Sequence, residues 1–390
     1  MKVLHISNYI PGYHRSSGGA EEACLNTVKA LYGQGVKNVV AAVKPVKQPK
    51  EKEFIFFPIA ISEDLFGYKL SFLKRIFNFD IVSFLSLRKI LKQIKPDVIH
   101  LYNFDLISLS AISAVKSLKI PIVFSVYDYW IFSSDKGITF NDKWLRKKIF
   151  KHFIKKIDAF VVLSGHSRDL LLKNGVPEGK INIVHLMMEN NSDFSVSSDE
   201  DIQKNTIFFA GWIQPRKGLY ILIQAMKEVV EKFPQAKLLV AGMKEDKNYR
   251  EKIDNFINRY NLQKNIEWKD RKDDAGGQFY KMSFKKSLAV IAPEQWQNMS
   301  PVIVAEGLRE GKIVIASRIG GIPDIIEDEV SGLLANYDSP LDFAEKIIKL
   351  FSFPDYELNI MRNNAKKRYE VLFNSENNAK KLIAIYNKVI

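Results

Sequence analysis

Ala292–Pro323, APEQWQNMSPVIVAEGLREGKIVIASRIGGIP, decides the fold. The apolar run from Leu288 to Ile291 reads as a strand that ends in a polar loop. Pro301 opens a helix that carries Glu306, Gly311 breaks that helix, and Ile313–Ala316 forms another buried strand before Gly320 and Gly321. A strand, a helix start that favours anions and an acidic side chain one or two turns in together describe a sugar-nucleotide pocket. An ordinary βαβ unit fits the same pattern.

The strand-first pattern recurs upstream. Thr206–Ala210 reads as a strand, Gly211–Gly218 (GWIQPRKG) as a loop, and Leu219 starts a helix. In that helix Leu222, Ile223, Met226, Val229 and Val230 share one apolar face. Lys237–Ala241 is a further strand and 249–260 a polar helix. At the N-terminus Val3–Ser7 is a strand, followed by a loop containing Pro11, Gly12, Ser16, Ser17, Gly18 and Gly19. A helix begins at Ala20, turns Leu25, Val28 and Leu31 (or Tyr32) inward, and stops around Gly33–Gly35 before a strand at Val39–Val43. Strand, glycine loop, helix, strand opens a doubly wound α/β domain. Gly18 and Gly19 let the backbone approach a ligand closely, although the spacing is not GxGxxG and no dinucleotide fingerprint is present.

Between these ends, Val82–Ile94 reads as a helix, Asp97–Tyr102 as a strand, 107–118 as a small-residue helix and Pro121–Tyr127 as a buried strand. Ala159–Ser164 is another strand, and Val184–Leu186 a further candidate. The alternation predicts parallel sheets. Residues 51–95 are rich in Phe and Lys, with mixed periodicity. Asn141–Asp158 is an amphipathic basic helix: Leu145, Ile149 and Phe153 recur at helical spacing while Arg146, Lys147, Lys148, Lys151, Lys155 and Lys156 crowd the other faces. Such a helix suits an anionic lipid surface, each basic residue near it contributing about 1 kcal/mol, or a solvated outer face. Asn190–Asn205 is polar, rich in Ser and Asp and without apolar periodicity. That shift predicts an N-terminal domain over 1–190, a linker over 191–205 and a C-terminal domain over 206–374.

The chain has 390 residues, a length that suggests two domains or three, and at 46% hydrophobic and 26% charged it has an ordinary globular balance. A net charge of +14 points to phosphate-bearing partners, with solubility as the plainer explanation. Cys24 is the only cysteine, which excludes an internal disulfide and a Cys-rich zinc site and fits a reducing compartment. The N-terminal segment reads as a first strand rather than a signal peptide, and no long apolar run predicts a bilayer span. The expected location is cytoplasmic, peripheral on the inner membrane face.

With these loops in place the chain resembles the large retaining glycosyltransferase family called family 4, with GT-B architecture. The pieces come in the family's order: GGAE at Gly18–Glu21, KPDVIHLYN at 95–103, YDYW at 127–130 and VLSGHSRDLLLKNGVP at 162–177. GWIQPRKG at 211–218, PEQW…SPVIVAEGL at 293–308 and SRIGGIPDII at 317–326 follow. The resemblance implies two Rossmann-like parallel-sheet domains facing across a cleft, the N-terminal one for the acceptor and the C-terminal one for a nucleotide sugar. It also implies that the last helix, about 375–390, packs back onto the N-terminal domain. The implied reaction moves a sugar from a UDP- or GDP-linked donor, with retention, to a cell-surface glycan, lipid-linked or polysaccharide acceptor. No essential metal and no cofactor beyond that co-substrate are implied.

On this resemblance Lys217 matches the diphosphate lysine, Gly18 and Gly19 the N-domain phosphate loop, and Glu306 the carboxylate that holds both ribose hydroxyls. Ser300, Pro301 and Val302 match the backbone segment facing the diphosphate; Pro301 has no N–H, so its neighbours would donate. Three positions depart from the family's pattern. Trp212 stands where an arginine is common, with Arg216 as the nearby cation that could replace it. Asn298 stands where the first of two paired glutamates is expected, with Glu294 four residues earlier. Tyr127 stands in place of a histidine. Lys217, Arg216, Tyr127 and Asn298 are therefore the expected catalytic positions, and Trp212 belongs with the donor-binding ones. Together the departures keep a second possibility open: a non-catalytic GT-B protein that binds a nucleotide sugar or partners an active transferase. The pI of about 9.4 also raises a nucleic-acid binder, but no helix-turn-helix, zinc-finger, RRM or KH signature appears and the aromatics lie mostly within apolar elements.

Overall fold

The computed structural model describes residues 1–14, 18–64, 78–127, 152–188, 202–243, 246–270, 274 and 277–390. The chain divides into two compact units, Met1–Glu189 with Asn374–Ile390, and Asn190–Phe373.

The first unit runs β1 (Lys2–Ile6), α1 (Gly19–Gly33), β2 (Lys37–Val43), β3 (Phe54–Ile59), α2 (Ile81–Ile94), β4 (Val98–Leu101), α3 (Ser110–Lys116), β5 (Ile122–Ser125), β6 (Ala159–Val162), α4 (Gly165–Lys173) and β7 (Ile181–Ile183). Its seven strands form one sheet in the order β3-β2-β1-β4-β5-β6-β7, and each neighbouring pair is parallel. The central strands are apolar at almost every position because helices cover both sheet faces. Asp80, 2% exposed, caps α2 by accepting from the amides of Val82 at 2.9 Å and Ser83 at 3.2 Å. The helix α12 (Ser375–Val389) belongs to this unit. Its Ala379, Leu382, Ile385 and Tyr386 are buried in one cluster with Val3, Leu31, Val36 and Val98.

The second unit runs β8 (Gln203–Trp212), α5 (Leu219–Lys232), β9 (Lys237–Met243), α6 (Lys247–Arg259), β10 (Ile266–Asp270), α7 (Gln278–Lys286), β11 (Ser287–Ala292), α8 (Val302–Arg309), β12 (Ile313–Ser317), α9 (Ile322–Ile325), β13 (Leu333–Ala335), α10 (Pro340–Ser352) and α11 (Asp355–Phe373). Its sheet has six strands in the order β10-β9-β8-β11-β12-β13. Strand order reverses between β8 and β11, so the loops leaving their carboxyl ends flank a topological switch point. Those loops are 213–218 and 293–301.

Several elements differ from the sequence reading. β7 occupies 181–183 rather than 184–186, because Ile181, Asn182 and Ile183 pair with Phe160–Val162 at the sheet edge. β8 extends through Trp212, which pairs with Met243, so Trp212 ends a strand rather than sitting in the loop. The helix expected over 107–118 shortens to α3, since Ser108 adopts a left-handed φ of 68°. Of the two alternatives in α1, Leu31 is buried and Tyr32 is 45% exposed. β3 was not anticipated: it lies at the sheet edge, is buried only at Phe54 and Ile59 and contains Pro58, which an edge strand tolerates. The basic helix expected over 141–158 lies mostly outside the described residues; its last part is helical only over 152–154 and turns before Asp158. The expected linker lies outside them up to residue 201, and β8 already begins at Gln203.

Candidate active site

Three loops at the carboxyl edge of the second sheet are stitched together by backbone. After β8 a 3-10 turn over Pro215–Lys217 ends at Gly218, whose φ of 72° is left-handed. A Cβ at 218 would lie 1.7 Å from the carbonyl oxygen of Pro293, so glycine alone fits there. Next to it the Gln295 amide donates to the Arg216 carbonyl at 2.8 Å. The loop after β12 joins in the same way. The Gly321 amide donates to the Asn298 carbonyl at 2.8 Å, and a Cβ on Gly320, at φ 59°, would lie 2.5 Å from that oxygen.

The stitching sets side chains on a common site. Lys217 Nζ pairs with Glu294 Oε1 at 2.5 Å, and the Glu294 side chain is only 3% exposed. Asn298 Nδ2 donates to the same Oε1 at 3.3 Å, while Asn298 Oδ1 accepts from the Ser300 amide at 3.2 Å. Glu294 Oε2, the Ser300 hydroxyl and Arg216 Nε are buried without a hydrogen-bond partner among the described residues. Arg216 lies between two indoles, 4.8 Å from the ring centre of Trp212 and 5.2 Å from that of Trp296. Such contacts are each worth about 0.5–2 kcal/mol and hold the guanidinium flat. Trp212 thus carries Arg216 rather than a charge of its own.

Pro301 caps α8 with φ −66° and ψ 125°. The Val304 amide returns to the Pro301 carbonyl at 3.1 Å. The amides of Val302 and Ile303 precede the helix's own ladder and form its positive end. Ser300 was expected to donate beside Pro301, but its N–H is taken by Asn298; Val302, 42% exposed, is the better placed neighbour. Glu306 is half-buried on α8, and Tyr280 on α7 donates its hydroxyl to Glu306 Oε2 at 2.9 Å. The Tyr280 ring meets Phe208 edge-on at 5.4 Å. Two contributors escaped the sequence reading. Glu294 was noted only as being in the wrong register, and its pairing with a lysine 77 residues away leaves no local mark. Tyr280 carries no signal at all.

Gly18, Gly19 and Tyr127 belong to the first unit, whereas Lys217, Arg216, Trp212, Asn298, Ser300, Pro301, Val302 and Glu306 belong to the second. Gly18 caps α1 in extended conformation, and its amide donates to Glu21 Oε2 at 3.0 Å. Glu21, 4% exposed, also accepts from Asn103 Nδ2 at 3.2 Å, which ties the glycine loop to the end of β4. Gly19 is exposed, and residues 15–17 fall outside the described residues. Tyr127 follows β5 and stacks on Tyr102 at 6.0 Å with 10° between the rings. Burial pushes its hydroxyl up to about 12, so it stays protonated and cannot serve as a base near neutral pH.

Behind it lies a closed polar cluster. His100 meets Ser125 Oγ at 2.7 Å, Tyr386 OH at 2.6 Å and Tyr102 OH at 3.0 Å. His5 meets Tyr102 OH at 3.2 Å and Asn38 Oδ1 at 3.1 Å. Burial lowers His5 to about 4 and His100 well below the usual range, so both are neutral.

Two parallel α/β units, each reversing strand order beside a glycine-containing loop, define the GT-B architecture. Solved structures agree over the full length. Anabaena HepE in complex with UDP superimposes with a TM-score of 0.77 at 14% identity, covering all of both chains. Sucrose-phosphate synthase from Thermosynechococcus elongatus gives 0.76 at 17%, over 99% of this chain and 98% of that one. The family models divide the sequence as the sheets do: Glycosyltransferase Family 4 matches residues 17–187, and Glycosyl transferases group 1 matches residues 191–368. The chain belongs to this family. Among curated relatives, Bacillus subtilis YtcC is 28% identical over 197 residues, 48% of this chain and 46% of that protein. Phosphatidyl-myo-inositol mannosyltransferase of Mycobacterium tuberculosis is 27% identical over 138 residues, 35% of this chain and 34% of that protein. The matched segments thus span about half or less of the relatives' own length.

Proposed function

We propose that the protein is a retaining glycosyltransferase that moves a sugar from a UDP- or GDP-linked donor to a cell-surface glycan, lipid-linked or polysaccharide acceptor. The observation that carries this reading is the convergence of Lys217, Arg216, Asn298 and the α8 start on one switch point, with Glu306 within the same helix. Anabaena HepE, a fold neighbour, forms complexes with UDP and with UDP-glucose, and the mycobacterial relative is a mannosyltransferase.

The chemistry follows from the leaving group. As the glycosidic bond to the diphosphate breaks, charge develops on the phosphate oxygens. Cations and amide dipoles already in place stabilise it, one such donor being worth about 2.7–4 kcal/mol of barrier. Lys217 and Arg216 supply the cations, and the Val302 and Ile303 amides the dipoles. Glu306 accepts from two ribose hydroxyls, a bidentate task for which a carboxylate has enough lone pairs. Asn298 hydrogen-bonds a hydroxyl of the transferred sugar. Gly18 and Gly19 let backbone approach the donor phosphates, and Tyr127 contributes its main-chain carbonyl. The departing phosphate takes the acceptor's proton on the same face, so the neutral Tyr127 is no obstacle. In this scheme neither a metal nor a further cofactor takes part.

The test is nucleotide binding followed by transfer. UDP-, GDP-, ADP- and dTDP-sugars are screened by thermal shift; a site saturated at a hundredfold excess over Kd stabilises the fold by about 2.7 kcal/mol. Glu306→Ala abolishes the shift. If no nucleotide moves the melting point, the reading fails. A second reading, binding without transfer, is favoured by one observation: the cation at Lys217 is already neutralised by Glu294. Donor binding with neither hydrolysis nor transfer across a range of acceptors would select it. The acceptor's membrane setting rests on the Phe- and Lys-rich N-terminal half and the stretch 141–158. The docking proposed is peripheral, on the cytoplasmic face; among the described residues no helix is long and apolar enough to cross a membrane. Indifference to anionic vesicles at low salt would remove it.

A further inference from the structure

The transfer scheme gives Glu294 no role. It is an unusual group to find there. Its side chain is 3% exposed, one oxygen is shared by Lys217 Nζ at 2.5 Å and Asn298 Nδ2 at 3.3 Å, and the other has no partner among the described residues. A buried carboxylate that leaves an oxygen unsatisfied is costly to keep, because desolvation of that oxygen is not repaid by a hydrogen bond. It is also fixed in position. The adjacent Pro293 carbonyl is packed against Gly218, and the Gln295 amide is tied to the Arg216 carbonyl. Lys217, by contrast, keeps 23% of its side chain exposed and can turn on its flexible stem.

We propose that Glu294 is a built-in counter-ion that tempers the hold of Lys217 on the diphosphate and so keeps the spent nucleotide able to leave; this rests on the nucleotide-sugar reading of the site. A nucleoside diphosphate must share Lys217 with a fixed negative charge, or draw the ammonium away from it. Either way binding is weaker than the cations alone would give. The effect falls on product as much as on donor, since both carry the diphosphate. Arg216, held between its two indoles without a carboxylate partner among the described residues, is then the cation whose charge the diphosphate meets in full. Glu294 acts through Lys217 and needs no contact with the substrate.

A purely structural carboxylate and a counter-ion predict opposite signs. Glu294→Gln keeps size and hydrogen bonding but removes the charge. Titration calorimetry of wild type and E294Q is run with inorganic pyrophosphate and with UDP, GDP, ADP and dTDP, at several salt concentrations, alongside ligand-free melting curves. The expected result is about tenfold tighter binding of pyrophosphate and of the cognate nucleoside diphosphate by E294Q, with a steeper loss of affinity as salt rises. Affinity unchanged within twofold, or weakened, in a folded E294Q overturns the proposal. Gain of pyrophosphate binding in E294Q while wild type binds no nucleotide would uphold the counter-ion and sink the nucleotide-sugar reading. If E294Q does not fold, Glu294→Ser is judged by the same criterion; failure of both to fold makes Glu294 a structural brace and overturns the proposal.

Discussion

The two units share a strand order and a chain direction, and each carries a cluster of buried polar groups, one closed and the other open, although Ser7 Oγ and Asn103 Oδ1 in the first unit also lack partners among the described residues. In the first, His5, His100, Tyr102, Asn38, Ser125 and Tyr386 satisfy one another in a closed cluster behind the sheet's carboxyl edge. In the second, Glu294, Ser300 and Arg216 leave buried atoms without partners among the described residues, around a lysine that reaches solvent. A closed network in a low-dielectric interior is rigid and specifies one packing. An open one holds its polar groups ready for a ligand that completes it. The same fold therefore closes one cluster of polar groups in the first unit and leaves another open in the second.

The largest effect is expected at the stitch of the open edge. Gly218→Ala places a Cβ 1.7 Å from the Pro293 oxygen at a φ of 72°. It should cost more than about 4 kcal/mol in chemical denaturation, or leave the second unit unfolded. Lys217→Ala should lower turnover about 100- to 1,000-fold, the equivalent of one lost charge stabiliser. It also leaves Glu294 buried without its cation, so the double variant with Glu294→Gln should regain stability without regaining turnover.

The closed cluster makes a prediction about pH. His5 and His100 sit below their ordinary value of 6.5 in the folded state, so the unfolded chain binds more protons than the folded one. Their contribution is complete above about 6.5, falls as pH drops through 6.5 toward 4, and levels off for His5 once its folded form protonates near 4. For His5 alone the loss is on the order of 3 kcal/mol, read as urea midpoints against pH. His5→Asn or His100→Asn should flatten that profile. The smallest effect is Tyr280→Phe, which removes the hydroxyl on Glu306 Oε2. Nucleotide Kd should rise about three- to tenfold, about 0.5–1.5 kcal/mol, with kcat little changed.

Much of the fold was legible because strands buried on both faces are runs of apolar residues, as in Ile313–Ser317, and because glycine loops punctuate them. What escaped had a physical reason. Phe54–Ile59 is an edge strand whose half-exposed face and Pro58 blur the pattern, and Leu333–Ala335 is too short to announce itself. In the site, Lys217 and Glu306 could be picked out by motif, since each sits at a fixed offset from a helix start. The arrangement around them could not. Glu294 meets Lys217 across the sheet's switch point, Tyr280 reaches Glu306 from a different helix, and Arg216 depends on two tryptophans brought together by separate strands. These are properties of strand order, which residue spacing does not encode.

The placement of α12 has a consequence for how the protein is made. Tyr386, Leu382 and Ala379 complete the core around Val3 and Leu31, and Ser375 clasps Met188 through both its amide, at 3.0 Å, and its carbonyl, at 2.9 Å. During synthesis, residues 1–188 emerge first and must wait, with that apolar seam open and His100 short of a partner, until the second unit has been translated. The order of translation and the order of closure are thus inverted for the first unit. A ribosome-stalled chain ending before Ser375 should expose a chaperone-binding surface that release of the whole polypeptide hides.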